Sequence, residues 1–282
     1  MRLKGISRSR NVEDRRGQGR GRAGGAVGGL GIGAVLAVLA IGWATGIDVM
    51  PLLQGSAVSE QSSGGPLSET DAREGAFAAQ VLATTEAVWG REFPVQVGKS
   101  YNPPVMVLFS GVTQSPCGGA SGATGPFYCP ADGKAYLDTG FFTTMHQQLG
   151  AGGDFAAAYV IAHEVAHHVQ DELGILGQVD EARRRASTAD ANALTVRLEL
   201  MADCLSGIWA RNVGDLMERG DLAEALNAAR MIGDDHLQRQ AGRVPQPHTF
   251  THGTSEQRAR WFQRGYDSGL IADCDTYAAR RL

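Results

Sequence analysis

The chain has 282 residues, of which 43% are hydrophobic and 20% charged, and its formal net charge is −4. A chain of this length and apolar content can bury a full core, which excludes a wholly disordered protein. The charge is uneven, because residues 1–22 carry eight Arg or Lys side chains against two acidic ones. Nothing aromatic accompanies this basic arm, so we expect no nucleic-acid partner.

Residues 23–47 contain no charged side chain. At about 1.5 Å per helical residue this stretch can cross a hydrocarbon core of about 30 Å, so we predict a transmembrane anchor. The preceding arginines favour a cytoplasmic amino terminus, with the rest of the chain on the far side of the membrane. A cleaved signal peptide is the alternative, although the apolar run exceeds the ~7–15 residues of a signal core.

Residues 48–70 are rich in Ser and Gly and are predicted to form a flexible linker. Residues 71–282 are predicted to form one domain. Periodicity and turn residues predict its elements: helices over 71–89, 154–173, 189–213 and 255–268, one or two helices over 215–240 with a break at Gly220 or Gly233, and strands over 105–109, 127–129 and 135–138.

The chain is organised around the sequence His-Glu-Val-Ala-His at residues 163–167. An apolar stripe at helical spacing predicts a helix here, with Asp154 as its N-cap and Gly174 as its stop. Residues four apart lie on one face of a helix, so His163 and His167 can bind one metal ion. Glu164 then lies beside that ion.

Glu199 and Asp203 lie four residues apart in the apolar helix predicted over 189–213. Burying two carboxylates is costly unless cations or hydrogen-bond donors compensate them. A metal ion held by the two histidines would compensate Glu199, which is therefore the predicted third ligand. Alternatively, both carboxylates form a polar stripe paired with Arg197 or Arg211.

The last predicted helix begins with a capping box formed by Thr254 and Gln257, and ends at Gly269. His252 and Arg258 lie near its start, where side chains can reach into a cleft. An ordinary capped helix with an exposed histidine is the alternative interpretation. We expect His236, further upstream, to be a surface residue.

The four cysteines all follow the predicted span, where oxidants favour disulfides. Of the three possible pairings we favour Cys117 with Cys129, across a glycine-rich loop, and Cys204 with Cys274, which ties the carboxyl tail to a helix. Four buried reduced thiols are the alternative. No two are spaced as Cys-x-x-Cys, which argues against a cysteine zinc site.

The chain resembles the neutral zinc metallopeptidases of bacteria, the YpfJ-like family, in four ordered blocks. These are residues 125–130 (GPFYCP), 162–168 (AHEVAHH), 199–204 (ELMADC) and 251–258 (THGTSEQR). More remotely it resembles the CAAX prenyl proteases and the heat-shock membrane proteases. These families share the His-Glu-x-x-His motif, a Glu-x-x-x-Asp sequence after it, and a later His followed six residues on by Arg. They usually have Pro where this chain has Gly253.

The resemblance implies an α+β fold, a helix-dominated zincin-like domain with a small sheet, preceded by one transmembrane helix. It implies a membrane-anchored zinc-dependent metalloendopeptidase on the extracytoplasmic side of the bacterial cytoplasmic membrane. Zn²⁺ would be held by His163, His167 and Glu199, with one position left for water. The substrate would be a peptide or protein, which in zinc peptidases commonly pairs with an edge strand.

In that mechanism Glu164 takes the proton of the water and later gives it to the leaving amine. Asp203 accepts a hydrogen bond from a ligand imidazole. His252, supported or replaced by Arg258, stabilises the oxyanion. His168 is not expected to bind metal, because it lies about 100° around the helix from His167.

Two other functions fit the same residues. The first is a non-catalytic envelope protein in which zinc stabilises an interaction domain. An intact Glu164 argues against it, because a structural zinc site has no use for a general base. The second is a zinc hydrolase that acts on something other than peptides, which the spacing of the motif does not exclude.

Overall fold

A computed structural model of the protein describes residues 1–17, 67–121, 125–148 and 150–282. Its strands are β1 (Val12–Asp14), β2 (Val105–Phe109), β3 (Val112–Ser115), β4 (Gly118–Ser121), β5 (Phe127–Cys129) and β6 (Lys134–Asp138). Its α-helices are α1 (Glu69–Val97), α2 (Gly140–Gln148), α3 (Asp154–Glu172), α4 (Ile175–Arg185), α5 (Thr188–Asn212), α6 (Asp221–Met231), α7 (Asp234–Gln240) and α8 (Ser255–Ser268). The fold is α+β and helix-dominated, as the sequence predicts.

The main sheet has four strands in the order β1-β2-β6-β5. Strands β1 and β6 both run parallel to β2, whereas β5 runs antiparallel to β6. Strands β3 and β4 form a separate antiparallel hairpin. The predicted strands β2, β5 and β6 are all present, and β5 forms one edge of the main sheet.

Helix α3, which carries the metal motif, lies in the core. Apolar residues cover most of its surface, and Phe155 stacks on Trp209 of α5 with ring centroids 5.5 Å apart. Helix α5 is buried from Val196 onwards over most of its length. The two predicted carriers of metal ligands therefore pack side by side.

Helices α5 and α8 cross backbone against backbone. A Cβ atom at Gly207 would collide with the carbonyl oxygen of Phe262, and one at Gly265 would collide with that of Cys204. Only glycine at both positions allows this approach. The close crossing brings the start of α8 next to the carboxylates of α5.

Several helix ends depart from their predicted positions. Helix α1 runs from Glu69 to Val97, longer than predicted, because Ser68 and Asp71 form a capping box and Gly98 ends it in the left-handed conformation. The N-cap of α3 is Gly153 and not Asp154. The reason is a cap from another helix, since Glu224 of α6 accepts a hydrogen bond of 3.2 Å from the Phe155 amide.

The other predicted ends agree with the structure. Gly174 follows α3 in the left-handed conformation, as expected of its stop. The region 215–240 forms two α-helices, with Gly220 and Gly233 each preceding one. The capping box of Thr254 and Gln257 opens α8, which ends at Gly269.

Residues 1–16 pack in the same compact unit as residues 67–282. Met1 and Leu3 are buried in the main core, β1 adds a parallel strand beside β2, and Arg16 donates hydrogen bonds to Asp14 and to the Asp71 carbonyl. The sequence predicts a basic arm separate from the domain, and the structure differs. The difference arises because apolar side chains and strand pairing join this segment to distant residues.

Among the helices of the described residues, none has the length and hydropathy needed to cross a bilayer. The predicted span over residues 23–47 lies outside the described residues, as does most of the predicted linker. Of that linker, Glu69 and Thr70 belong to α1.

Both predicted disulfides are present. Cys117 is bonded to Cys129 and joins the β3–β4 hairpin to β5. Cys204 is bonded to Cys274 and joins α5 to the carboxyl-terminal segment. Cys117 is exposed, whereas both sulfurs of the second disulfide belong to fully buried residues.

Candidate metal centre

A cleft of about 540 Å³ opens between the main sheet and the helices. Its lining includes residues of α3 and α5, residues 125–128 and Pro130 around β5, and His252. All three predicted metal ligands and Glu164 line this cleft. Residues from distant parts of the chain therefore meet at one place.

The three predicted ligands converge on a common point. His163 Nε2 lies 3.0 Å from Glu199 Oε2, and His167 Nε2 lies 3.5 Å from Glu199 Oε1. One ligand atom from each residue lies within 4.8 Å of the others. Two histidines on successive turns of α3 and one carboxylate on the adjacent α5 are sufficient to create this arrangement.

These distances fit a zinc ion. Bonds of about 2.0–2.2 Å in tetrahedral geometry place neighbouring ligand atoms roughly 3.3–3.5 Å apart. Two neutral imidazoles and one carboxylate are a donor set typical of catalytic zinc, with a fourth position left for water or substrate. The residues present therefore fit the metal that the motif predicts.

The electrostatics of the cluster favour a bound cation. Burial disfavours a charged His163, but the adjacent Asp203 and Glu199 carboxylates outweigh this and raise its pKa to about 9. Burial likewise opposes ionisation of Glu199, yet the charge of His167 and hydrogen bonds from both histidines hold its pKa well below the ordinary value. A positive charge at this point is stabilised from several sides.

Residues outside the ligand set orient the two imidazoles. His163 Nδ1 lies 3.0 Å from Asp203 Oδ1, the distance but not the angle of a regular hydrogen bond. Gln170 Oε1 lies 2.9 Å from His167 Nδ1, and its amide donates to the Leu198 carbonyl. Contacts at Nδ1 leave the Nε2 atom of each ring free to face a metal.

Comparison with known proteins decides the family. A family model described as "Putative neutral zinc metallopeptidase" matches residues 1–277. The chain belongs to this family. Zinc is the cofactor that membership implies, in agreement with the ligand geometry.

Relatives of the family align over long stretches. "Uncharacterized protein YpfJ" of Escherichia coli (strain K12) is 46% identical over 285 residues, which covers 98% of this chain and 99% of that protein. "Uncharacterized protein Mb2605" of Mycobacterium bovis is 40% identical over 219 residues, covering 72% of this chain and 71% of the relative. No solved structure matches the chain.

Glu164, the predicted base of this family member, is 9% exposed and lines the cleft. Burial raises the pKa of its carboxyl group, against the opposing charge of His167 and His163. A raised pKa brings a carboxylate closer to the range in which it both accepts and returns a proton near neutral pH.

His252 lies at the rim of the cleft, with 48% of its side chain exposed. Its loop is held by Asp234, whose Oδ2 accepts hydrogen bonds from the amides of Thr251, His252 and Gly253 at 2.6–2.9 Å. Asp234 Oδ1 lies 3.3 Å from His252 Nδ1. The imidazole is thereby oriented, while its Nε2 faces away from this carboxylate.

Arg258 is buried, and its guanidinium is engaged with Asp203. Two hydrogen bonds of 2.9 Å join them, and a third nitrogen donates to the Ile232 carbonyl at 3.3 Å. Tyr159 donates to Asp203 Oδ1 at 2.6 Å. Arg258 also lines the cleft, and its predicted part in stabilising the oxyanion, as support or replacement for His252, stays a prediction.

Four other residues that the sequence singled out take structural positions. His168 Nε2 bonds the Asn102 carbonyl at 2.6 Å, as expected for a histidine that does not bind metal. Arg197 and Arg211 bond carbonyls of the carboxyl-terminal segment and of α8 and do not pair with Glu199 or Asp203. His236, expected at the surface, is partly buried, and its Nε2 lacks a hydrogen-bond partner among the described residues.

Tyr159, Gln170 and Asp234 contact site residues but were not predicted to do so from the sequence. Tyr159 and Gln170 lie on α3 at four residues before His163 and three after His167, so helical spacing alone places each beside a ligand. Asp234 had no comparable signal, because it reaches the His252 loop only through the tertiary fold.

Proposed function

We propose that the protein is a zinc-dependent endopeptidase with His163, His167 and Glu199 as metal ligands. The observation that carries the proposal is the convergence of these three side chains in a cleft that also holds Glu164. A structural zinc site would have a fourth protein ligand, whereas here the fourth position faces the open cleft beside the Glu164 carboxylate. The small sheet beside the metal helix accords with a zincin-like architecture.

Zinc at this position would supply a Lewis acid that polarises a carbonyl and lowers the pKa of water to about 7. Glu164 accepts the proton of the attacking water and returns it to the leaving amine. Burial of its carboxyl group raises its pKa, which favours this double role. His163 and His167 keep their Nε2 atoms directed inwards through their contacts with Asp203 and Gln170.

His252 is the side chain best placed to stabilise a developing oxyanion. It is exposed on the cleft, and Asp234 orients its ring. Arg258 acts as a positioning residue, because its guanidinium is held by Asp203, which lies beside His163. A backbone approaching along β5 would add a strand to the free edge of the sheet and present its carbonyl beside Glu164.

Replacement of Glu164 by Gln tests the proposal. The full chain is loaded with zinc, and its zinc content and its cleavage of an unfolded protein are measured together. Removal of the general base should leave zinc bound and lower the cleavage rate by about 10²-fold or more. The matched control is Glu181→Gln on the exposed surface of α4, which should cleave like the wild type. Equal cleavage by Glu164→Gln and the wild type would overturn the assignment.

We further propose that residues 23–47 attach the protein to the bacterial cytoplasmic membrane. The arginine-rich flank favours a single crossing that separates residues 1–22 from the domain. Residues 1–16 pack in one unit with residues 67–282, which favours a second arrangement with both of these segments on the same side of the membrane. We adopt this second arrangement, because a bilayer between the two segments would prevent β1 from pairing with β2. The two disulfides favour the extracytoplasmic side.

A further inference from the structure

We propose that Tyr128, His168 and Asp171 form a clamp that fixes the edge strand β5 relative to the metal helix α3. The clamp rests on the proposed function, because its consequence is the alignment of a substrate on β5 with the metal ligands. Tyr128 and His168 are positioning residues in this proposal, and neither touches the reacting atoms.

His168 follows the ligand His167 but faces another side of α3. It is 7% exposed, its Nε2 donates to the Asn102 carbonyl at 2.6 Å, and its Nδ1 lies 3.0 Å from the Tyr128 hydroxyl. Its ring also meets the Tyr128 ring edge to face, with centroids 5.5 Å apart. Both nitrogens are occupied within the protein, so its contacts serve the position of α3 against the sheet.

Tyr128 is the middle residue of β5. Its backbone is paired with Ala135 of β6, and its side chain extends towards α3. There the hydroxyl donates to Asp171 Oδ2 at 2.8 Å, in addition to its contact with His168. One side chain therefore connects the sheet edge to two successive turns of the metal helix.

The other restraints on β5 do not lead to the metal helix. The strand has three residues, and its three backbone partners all belong to β6. The disulfide at Cys129 ties it to the β3–β4 hairpin. Among the described residues, the hydrogen bonds between β5 and α3 are those of the Tyr128 hydroxyl. The spacing between strand and helix thus depends on this side chain.

That spacing matters for hydrolysis. A peptide paired with β5 takes its register from the strand, whereas the metal position is fixed by His163, His167 and Glu199. The scissile carbonyl is correctly placed only if strand and helix keep their distance. A misplacement of about 1 Å can cost roughly 10²-fold in rate. Loss of the clamp should therefore impair substrate alignment and leave the metal site intact.

The test compares two zinc-binding inhibitors on the zinc-loaded full chain. Acetohydroxamate contacts the metal centre alone, whereas a hydroxamate attached to an extended tripeptide also uses β5. For Tyr128→Phe we expect unchanged zinc content, acetohydroxamate affinity within about twofold of the wild type, and tripeptide-hydroxamate affinity reduced by about tenfold. Peptide cleavage should show a higher KM and a lower kcat.

The chain offers a matched control in Tyr101. Its ring lies 5.8 Å from the His168 ring, but its buried hydroxyl has no hydrogen-bond partner among the described residues. Tyr101→Phe removes the same atom from the other face of His168 and should leave both affinities unchanged. Asp171→Asn keeps an acceptor for the Tyr128 hydroxyl and should retain most of the tripeptide affinity, whereas Asp171→Leu should lose it.

Two results would overturn the clamp, and a third would refute the proposed function on which it rests. Equal loss of both inhibitors with Tyr128→Phe would show an effect on the metal centre. Unchanged tripeptide affinity would show that the hydroxyl does not set the alignment. A wild-type chain that binds acetohydroxamate, but neither binds the tripeptide nor cleaves any peptide, would refute the proposed function itself. Wild-type peptide cleavage distinguishes the first two failures from the third.

Discussion

Arg258 donates two hydrogen bonds of 2.9 Å to the carboxylate of Asp203, which lies 3.0 Å from His163 Nδ1. Both side chains are essentially inaccessible to solvent. Burial opposes the charge of Asp203, and the guanidinium outweighs it and keeps the pKa of that carboxyl below its ordinary value. The pair therefore holds a carboxylate in place behind His163.

The first prediction concerns this pair. Arg258→Met leaves the buried Asp203 carboxylate without its guanidinium partner, which should lower the free energy of unfolding by about 3–5 kcal/mol. Urea denaturation of the zinc-free protein measures this without a contribution from the metal. Arg185→Met, which removes an exposed ion pair with Glu181, should cost at most about 1 kcal/mol. A similar cost for both variants would contradict the structural role of Arg258.

The second prediction concerns Gln170. Its Oε1 atom orients His167, so Gln170→Leu should weaken zinc binding by about 10–100-fold. Competition with a zinc-chelating dye measures the affinity. Gln178→Leu, on the exposed surface of α4, is the control and should leave affinity unchanged. Undiminished affinity in the Gln170 variant would show that His167 needs no partner at Nδ1.

The third prediction concerns pH and Asp234. Burial would raise the pKa of its carboxyl, but hydrogen bonds from the side chain and amide of His252 and from the Gly253 amide lower it below the ordinary 3.8. Because the folded-state pKa is the lower one, the stabilisation is complete above pH 3.8 and is lost as the pH falls further. Asp234→Ala should therefore destabilise the protein at pH 7, and the difference from the wild type should shrink towards pH 3.

Urea unfolding at the two pH values measures that difference. Removal of hydrogen bonds to a charged acceptor should cost about 1.5–3 kcal/mol at pH 7. Asp215→Ala, at an exposed position, should change the free energy of unfolding by less than about 0.5 kcal/mol at either pH. A pH-independent cost for the Asp234 variant would show that its charge does not hold the His252 loop.

The fourth prediction uses two glycines. Gly265→Ala drives a methyl group into the Cys204 carbonyl and should destabilise the protein by about 1–3 kcal/mol or more. Gly177 lies within α4, where a Cβ atom meets nothing within 4 Å, so Gly177→Ala should stabilise by about 0.5–1 kcal/mol. Opposite shifts in the thermal midpoint are expected, and shifts of the same sign would contradict the α5–α8 crossing.

The fifth prediction concerns membrane topology. Arg10→Cys and Val244→Cys place single thiols at exposed positions of the amino-terminal segment and of the domain. The native cysteines are all paired and will not react. A membrane-impermeant maleimide applied to intact cells should label both thiols or neither. Labelling of only one would show that the two positions lie on opposite sides.

Local sequence signals correctly predicted the helices and strands whose ends depend on residues close together in the sequence. The apolar run of β2, the turn between β5 and β6, and the capping box of α8 each correspond to an observed element. The short helices α2 and α4 were missed because each is short and buries few side chains. Strand β1 was missed because Val12–Asp14 reads as part of a charged arm, and its partner lies far along the chain.

The candidate site shows the same division. A spacing of four residues on one helix suffices to bring His163 and His167 together. The buried carboxylates of α5 required cations or hydrogen-bond donors nearby, which pointed to a site. The positions of His252 and Arg258 were harder to predict. Position along the sequence puts His252 and Arg258 near one cleft, but only the close packing of α8 on α5 decides that the Arg258 guanidinium pairs with Asp203.

Strand β1 also constrains the order in which the protein can acquire its structure during synthesis. The ribosome makes this strand before its partner β2, and the Arg2 amide donates to the carbonyl of the much later Leu216 at 2.7 Å. The segment must therefore wait until most of the polypeptide has emerged. Contacts between such distant residues are slow to form. Folding of the domain is thus expected to finish late, after translation of α5.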